Sequence, residues 1–132
     1  MPTHDFHPET LAIHAGERAD PTTGSIVMPV HQTAAYQFAN AEHAEGVFLL
    51  KDLKDGQHGN VYTRMGNPTV TQFEARMAAL DGGVGAVAFA SGMAAIAAAV
   101  LNICRVGDNF VASRNLYGGV SNLFQNIFAD FG

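Results

Sequence analysis

The sequence predicts an α/β protein: an extended N-terminal arm followed by the start of a large parallel-sheet domain. Three observations carry this. From residue 84 onward the pattern reads strand, helix, strand, helix, the order that parallel sheets with right-handed crossovers produce. The run over 84–90 is short and apolar, as in a strand buried on both faces. Residues 1–39, by contrast, carry apolar residues singly, with no sustained period. Two parallel strands alone cannot bury both faces of a sheet. The expected organisation is therefore an arm and short helix over 1–60 and the first part of a sheet domain over 61–132, with further strands supplied by a longer protein.

Composition narrows the classes. The chain has 132 residues, 48% of them apolar and 14% charged, which is globular rather than disordered. A net charge of −5 leaves no basic surplus for neutralising phosphates, so a general nucleic-acid partner is not expected. One cysteine excludes a disulfide framework within the chain and fits a reducing compartment. Neither a signal peptide nor a membrane span is legible, and the expected location is cytoplasmic.

The elements follow in order. Within the arm, Asp20-Pro21-Thr22-Thr23-Gly24 signals a turn. Asn40 can cap a short helix over 41–50, with Glu42 placed for the helix dipole. Residues 51–59 form a polar, glycine-bounded loop. Next comes Tyr62-Thr63-Arg64-Met65-Gly66-Asn67-Pro68-Thr69, in which Asn67 is a good N-cap and Pro68 suits the first helical position. Val70, Phe73, Met77 and Leu80 keep helical spacing until Gly82-Gly83. After the strand over 84–90, Ser91-Gly92 turns the chain into an Ala-rich helix over 93–104, and 109–113 suits a second strand. Val120, Leu123, Phe124, Ile127 and Phe128 then mark an amphipathic helix, with Gly132 at a C-cap position.

Three segments suit ligand chemistry, and each also has an ordinary structural reading that is commoner when taken alone. Ser91-Gly92-Met93 opens a helix, where unpartnered N–H groups and the dipole favour an anion such as phosphate; the alternative is a plain capped junction. Tyr62 and Arg64, on one side of an extended segment, offer a phenol and a guanidinium to a phosphate, or else are a packed Tyr and a surface Arg. Tyr117 follows the second strand, at the sheet edge where ligands collect. It can offer its ring to a flat heteroaromatic or simply cover that edge.

Other motifs fail on context. Gly83-Val84-Gly85-Ala86-Val87-Ala88 matches a dinucleotide fingerprint in letters but leaves a helix and enters a strand, the reverse of what that chemistry needs. Ser91 lacks the flanking glycines of a nucleophile elbow. His4, His7 and His14 lie in the arm and read as solvated residues, so no metal is expected. Cys104 reads as an inert buried thiol.

Taken in order, Leu11-Ala12-Ile13-His14-Ala15-Gly16, Asp20-Pro21-Thr22-Thr23-Gly24, Tyr62-Thr63-Arg64-Met65-Gly66-Asn67-Pro68-Thr69, Ser91-Gly92-Met93-Ala94-Ala95-Ile96 and Leu116-Tyr117-Gly118-Gly119 resemble the N-terminal part of the Cys/Met-metabolism enzymes that use pyridoxal 5′-phosphate (PLP). The subgroup most similar is O-acetylhomoserine sulfhydrylase. Val120 departs from the pattern, which more often has Thr there.

The resemblance implies a fold-type I PLP-dependent transferase acting on a small amino-acid substrate, with PLP as cofactor. It implies that the amides of Gly92 and Met93, together with Ser91, hold the PLP phosphate, and that Tyr117 stacks on its ring. Tyr62 and Arg64 would reach the phosphate held by a neighbouring subunit, against which the arm would lie, so a homo-oligomer with shared sites is expected. The lysine that bonds PLP, the carboxylate that pairs with its ring nitrogen and the Arg for the substrate carboxylate belong to segments downstream of residue 132. The two lysines here, Lys51 and Lys54, match no such position. The chain by itself is expected to carry no catalytic residue. Alternatives are a methionine γ-lyase or cystathionine γ-synthase or lyase portion, or a non-catalytic phosphate-binding module.

Overall fold

A computed structural model describes residues 6–51 and 59–132. The chain divides into two compact units, Met1–Val87 and Ala88–Gly132.

The first unit is built on three helices. α1 (Pro8–His14) lies inside the segment expected to be an extended arm. It has no side-chain cap; its local support is Pro8 at the first position and Glu9 in the first turn. Packing supplies the rest. Gly16, with φ +76°, brings the chain so close to α3 (Pro68–Asp81) that a Cβ there would lie 2.8 Å from the Cβ of Ala75. Arg76 on α3 donates to the Ala15 carbonyl (3.3 Å) and to Glu17 (3.1 Å). The arm over these residues thus rests on a helix of its own chain.

The predicted caps form. Asn67 Oδ1 accepts from the Thr69 amide, and α3 stops at left-handed Gly82, with the Gly83 amide reaching back to the Ala78 carbonyl. α2 (Ala41–Phe48) begins at Asn40, whose side chain accepts from the His43 amide. It ends two residues before the expected Leu50, because Leu50 adopts φ +51° and the Lys51 amide returns to the Gly46 carbonyl. His43 is buried, edge-on to Phe38, and its Nδ1 accepts from the Ala39 amide. A neutral ring so held carries its proton on Nε2. The Asp20 turn closes as expected: its Oδ1 accepts from the amides of Thr22 and Thr23 and from the Thr23 hydroxyl.

In the second unit, α4 (Gly92–Ile103) is followed by a continuous helical stretch of α5 (Gly118–Asn122), a π-helical turn (Leu123–Ile127) and α6 (Phe128–Phe131). In the π turn the Phe128 amide reaches Leu123, five residues back. The expected amphipathic face forms in part, since Ile127, at the end of the π turn, is exposed rather than on it. Val120 and Leu123 are buried, Phe124 stacks on Phe128, and Phe110 meets Phe124 edge-on at 4.9 Å. Gly132, at φ +89°, stands at the C-cap position. Cys104 sits at the C-cap of α4, only half-buried rather than buried as expected.

The two expected strands do not form. Among the described residues the backbone pairs across strands only at an isolated antiparallel bridge, Ala35 with Tyr62. The 84–90 run is split between the two units, and Val84 and Val111 are fully exposed. The reason is physical: a strand exists only as part of a ladder with another strand, and among the described residues neither run forms one. Among the described residues no helix is long and apolar enough to cross a membrane.

Candidate functional site

The sequence-predicted site residues fall into two groups, one in each unit. In the second unit, Ser91 is the N-cap of α4. Its Oγ accepts from the Ala94 amide (3.2 Å) and its carbonyl from the Ala95 amide (3.1 Å). The amides of Gly92 and Met93 come before the first intrahelical acceptor and have no acceptor among the described residues. A Cβ built on Gly92 would meet nothing within 4 Å, so the backbone there is open to approach. Two N–H donors at the positive end of a 12-residue helix, beside an unobstructed glycine, are suited to a phosphate.

Tyr117 and Met93 converge at Gly119. A Cβ on Gly119 would lie 2.9 Å from the Tyr117 ring and 3.2 Å from Met93 Sδ. The glycine therefore lets the ring fold over the start of α5, near the residue that opens α4. The ring stays 75% exposed, which leaves it free to cover a flat ligand. The resemblance already implied that Met93 and Tyr117 serve one cofactor; what the sequence did not show is that Gly119 supplies the room for the ring.

In the first unit, Tyr62 and Arg64 do not lie on an extended segment as expected. Residues 62–65 form a turn in which the amides of Met65 and Gly66 return to the Tyr62 carbonyl. The two side chains still share a side, for a different reason: the Arg64 guanidinium stacks over the Tyr62 ring at 5.0 Å. Such a pair presents a cation beside a phenol, and both can donate to an anion.

Of the lysines, Lys51 pairs with Glu45 at 2.6 Å, and Lys54 lies outside the described residues. His14 is bonded to Glu17, His4 lies outside the described residues, and no cluster suited to a metal occurs among the described ones.

A family model described as Cys/Met metabolism PLP-dependent enzyme matches residues 9–132. The chain is 46% identical over 128 residues to the O-acetyl-L-homoserine sulfhydrylase of Leptospira meyeri, and 48% identical over 116 residues to that of Corynebacterium glutamicum. These alignments cover 97% and 88% of this chain but only 28% and 25% of the relatives. Among solved structures, an O-acetylhomoserine (thiol)-lyase from Campylobacter jejuni superposes with a TM-score of 0.84 at 38% identity, over 97% of this chain and 30% of that one. That structure carries a pyridoxyl-lysine phosphate. A cystathionine γ-lyase from Lactobacillus plantarum superposes with a TM-score of 0.75 at 31% identity, over 96% of this chain and 29% of that one.

Proposed function

Because the chain belongs to the Cys/Met-metabolism PLP-dependent enzymes, we propose that it serves as the N-terminal portion of an O-acetylhomoserine sulfhydrylase. The reaction is γ-replacement: the carbon–oxygen bond to acetate breaks, a carbon–sulfur bond to sulfide or methanethiol forms, and homocysteine or methionine results. When bound, PLP supplies the electron sink that such a replacement needs.

This chain's own residues bind and orient. In this reading the Gly92 and Met93 amides donate to the cofactor phosphate, and Ser91 holds the helix end that presents them. Tyr117 covers the pyridine face. Tyr62 and Arg64 donate to the phosphate held by a neighbouring subunit of a cytoplasmic homo-oligomer. Residues 1–60 form the arm and short helix, and 61–132 begin the large sheet domain of a fold-type I enzyme. The PLP-bonding lysine comes from further sequence, so borohydride treatment of the 132-residue chain with PLP should leave no stoichiometric adduct on Lys51 or Lys54.

The observation that carries this reading is the start of α4, where the amides of Gly92 and Met93 stand without acceptors beside an open glycine. The decisive assay follows homocysteine formation from O-acetylhomoserine and sulfide by the complete enzyme. A second reading, methionine γ-lyase, has support from a relative of that name in Pseudomonas deceptionensis, 38% identical over 128 residues. Efficient breakdown of L-methionine with no turnover of O-acetylhomoserine would decide for it.

A further inference from the structure

We propose that Thr63 and Asn67 form a hydrogen-bond relay that positions the Tyr62–Arg64 pair, which makes the Thr63 hydroxyl a positioning group for cofactor binding. The inference rests on the assignment of Tyr62 and Arg64 to the phosphate.

Asn67 is only 4% exposed, and it does more than cap α3. With Oδ1 committed to the Thr69 amide at 2.9 Å, its amide orientation is fixed, and both Nδ2 hydrogens must find acceptors away from the helix. One goes to the His31 carbonyl at 2.9 Å, the other to Thr63 Oγ1 at 3.1 Å. Thr63 Oγ1, having accepted there, donates its single hydrogen to the Thr33 carbonyl. The direction of each bond is thereby set: Asn67 to Thr63, Thr63 to the arm.

The backbone doubles the hold, since the Thr63 amide donates to the Ala34 carbonyl at 2.8 Å. Thr63 stands between the two residues of the pair, in the same turn. Its side chain ties that turn to the arm and, through Asn67, to the first turn of α3. A clamp gains affinity when its donors are held in place before the ligand arrives. Removing the hydroxyl leaves Arg64 its charge and Tyr62 its phenol but frees the turn that aims them. Asn67 then also loses one acceptor.

The test uses the apo form of the complete enzyme and PLP titration followed by cofactor absorbance. Thr63→Val, nearly isosteric but without the hydroxyl, should raise the PLP dissociation constant about 10-fold, equivalent to about 1.4 kcal/mol. Thr63→Ser, which keeps the hydroxyl, should stay within about 2-fold, well inside one hydrogen bond's net worth. Thr63→Ala should follow Thr63→Val and covers the case in which the latter does not fold. In a Tyr62→Phe/Arg64→Ala background the Thr63→Val effect should nearly vanish, because a positioning group has nothing left to position. Amide hydrogen exchange over residues 61–66 should quicken in Thr63→Val and not in Thr63→Ser. Equal weakening by Thr63→Val and Thr63→Ser, or the same factor with and without the Tyr62–Arg64 pair, would overturn the relay while leaving the clamp assignment intact. An unchanged dissociation constant in Arg64→Ala alone would overturn the clamp assignment, and the relay with it.

Discussion

The two units hold themselves together by different means. The first is tied by hydrogen bonds between residues far apart in sequence: His31 to Thr69, Asn67 to His31, Arg76 to Ala15 and Glu17. Its buried polar residues, His43 and Asn67, are among the most enclosed side chains described, at 3% and 4% exposure. The second is held mostly by local apolar contacts, the Phe110–Phe124–Phe128 row and the buried Val120 and Leu123. It leaves Ile103, Val106 and Val111 in the open. The contrast teaches that a segment with sparse apolar residues can still be closely fixed when its polar groups find partners, whereas an apolar run without a ladder partner stays uncovered. Burial of polar atoms is directional and settles one geometry; apolar packing accepts whatever surface comes.

The comparison can be broken most sharply at Gly16. Ala there combines a left-handed backbone conformation with a Cβ 2.8 Å from that of Ala75. About 2–4 kcal/mol should be lost, from strain and overpacking together. Urea unfolding measures it, and hydrogen exchange should show the loss in the first unit. A cost below about 0.5 kcal/mol, as for an ordinary surface site, would mean that the arm does not bear on α3.

Ser91→Ala sharpens the other side. It removes the α4 cap and should cost about 1 kcal/mol, within the usual range for such caps. The effect should stay within the second unit, read as faster exchange of the Ala94 and Ala95 amides. Unchanged exchange of the Ala94 and Ala95 amides would refute the cap.

The smallest effect concerns Asp20. The Thr23 amide, foremost, and then the Thr23 hydroxyl and the Thr22 amide hold its carboxyl below the ordinary carboxylate range, and the charge of His31 adds to this. A folded-state value below the unfolded one favours the ionised form. The turn's contribution is therefore present above the unfolded pKa and lost as pH falls through the lowered folded value. Asp20 is exposed to solvent, so the readout is local: an NMR titration of its carboxyl, with the Thr22 and Thr23 amides following. A midpoint at or above that of a free aspartate would refute the turn's role.

Sequence alone determined the parts of this protein governed by short-range chemistry. Asn40, Asn67 and Ser91 announce their helices because each side chain caps amides two or three residues on, and Gly82 ends α3 because a left-handed residue is cheapest as glycine. The ordered motifs likewise identified the family. Tertiary structure decided what depends on distant partners. α1 forms because α3 is there to receive it. Tyr62 and Arg64 meet by stacking over a turn rather than by strand alternation, and the Tyr117 ring and Met93 Sδ both crowd the space that a side chain on Gly119 would fill. The 84–90 and 109–113 runs have the composition of strands, but a strand is a property of a pair. Among the described residues neither run pairs with a second strand, and composition alone does not make them one.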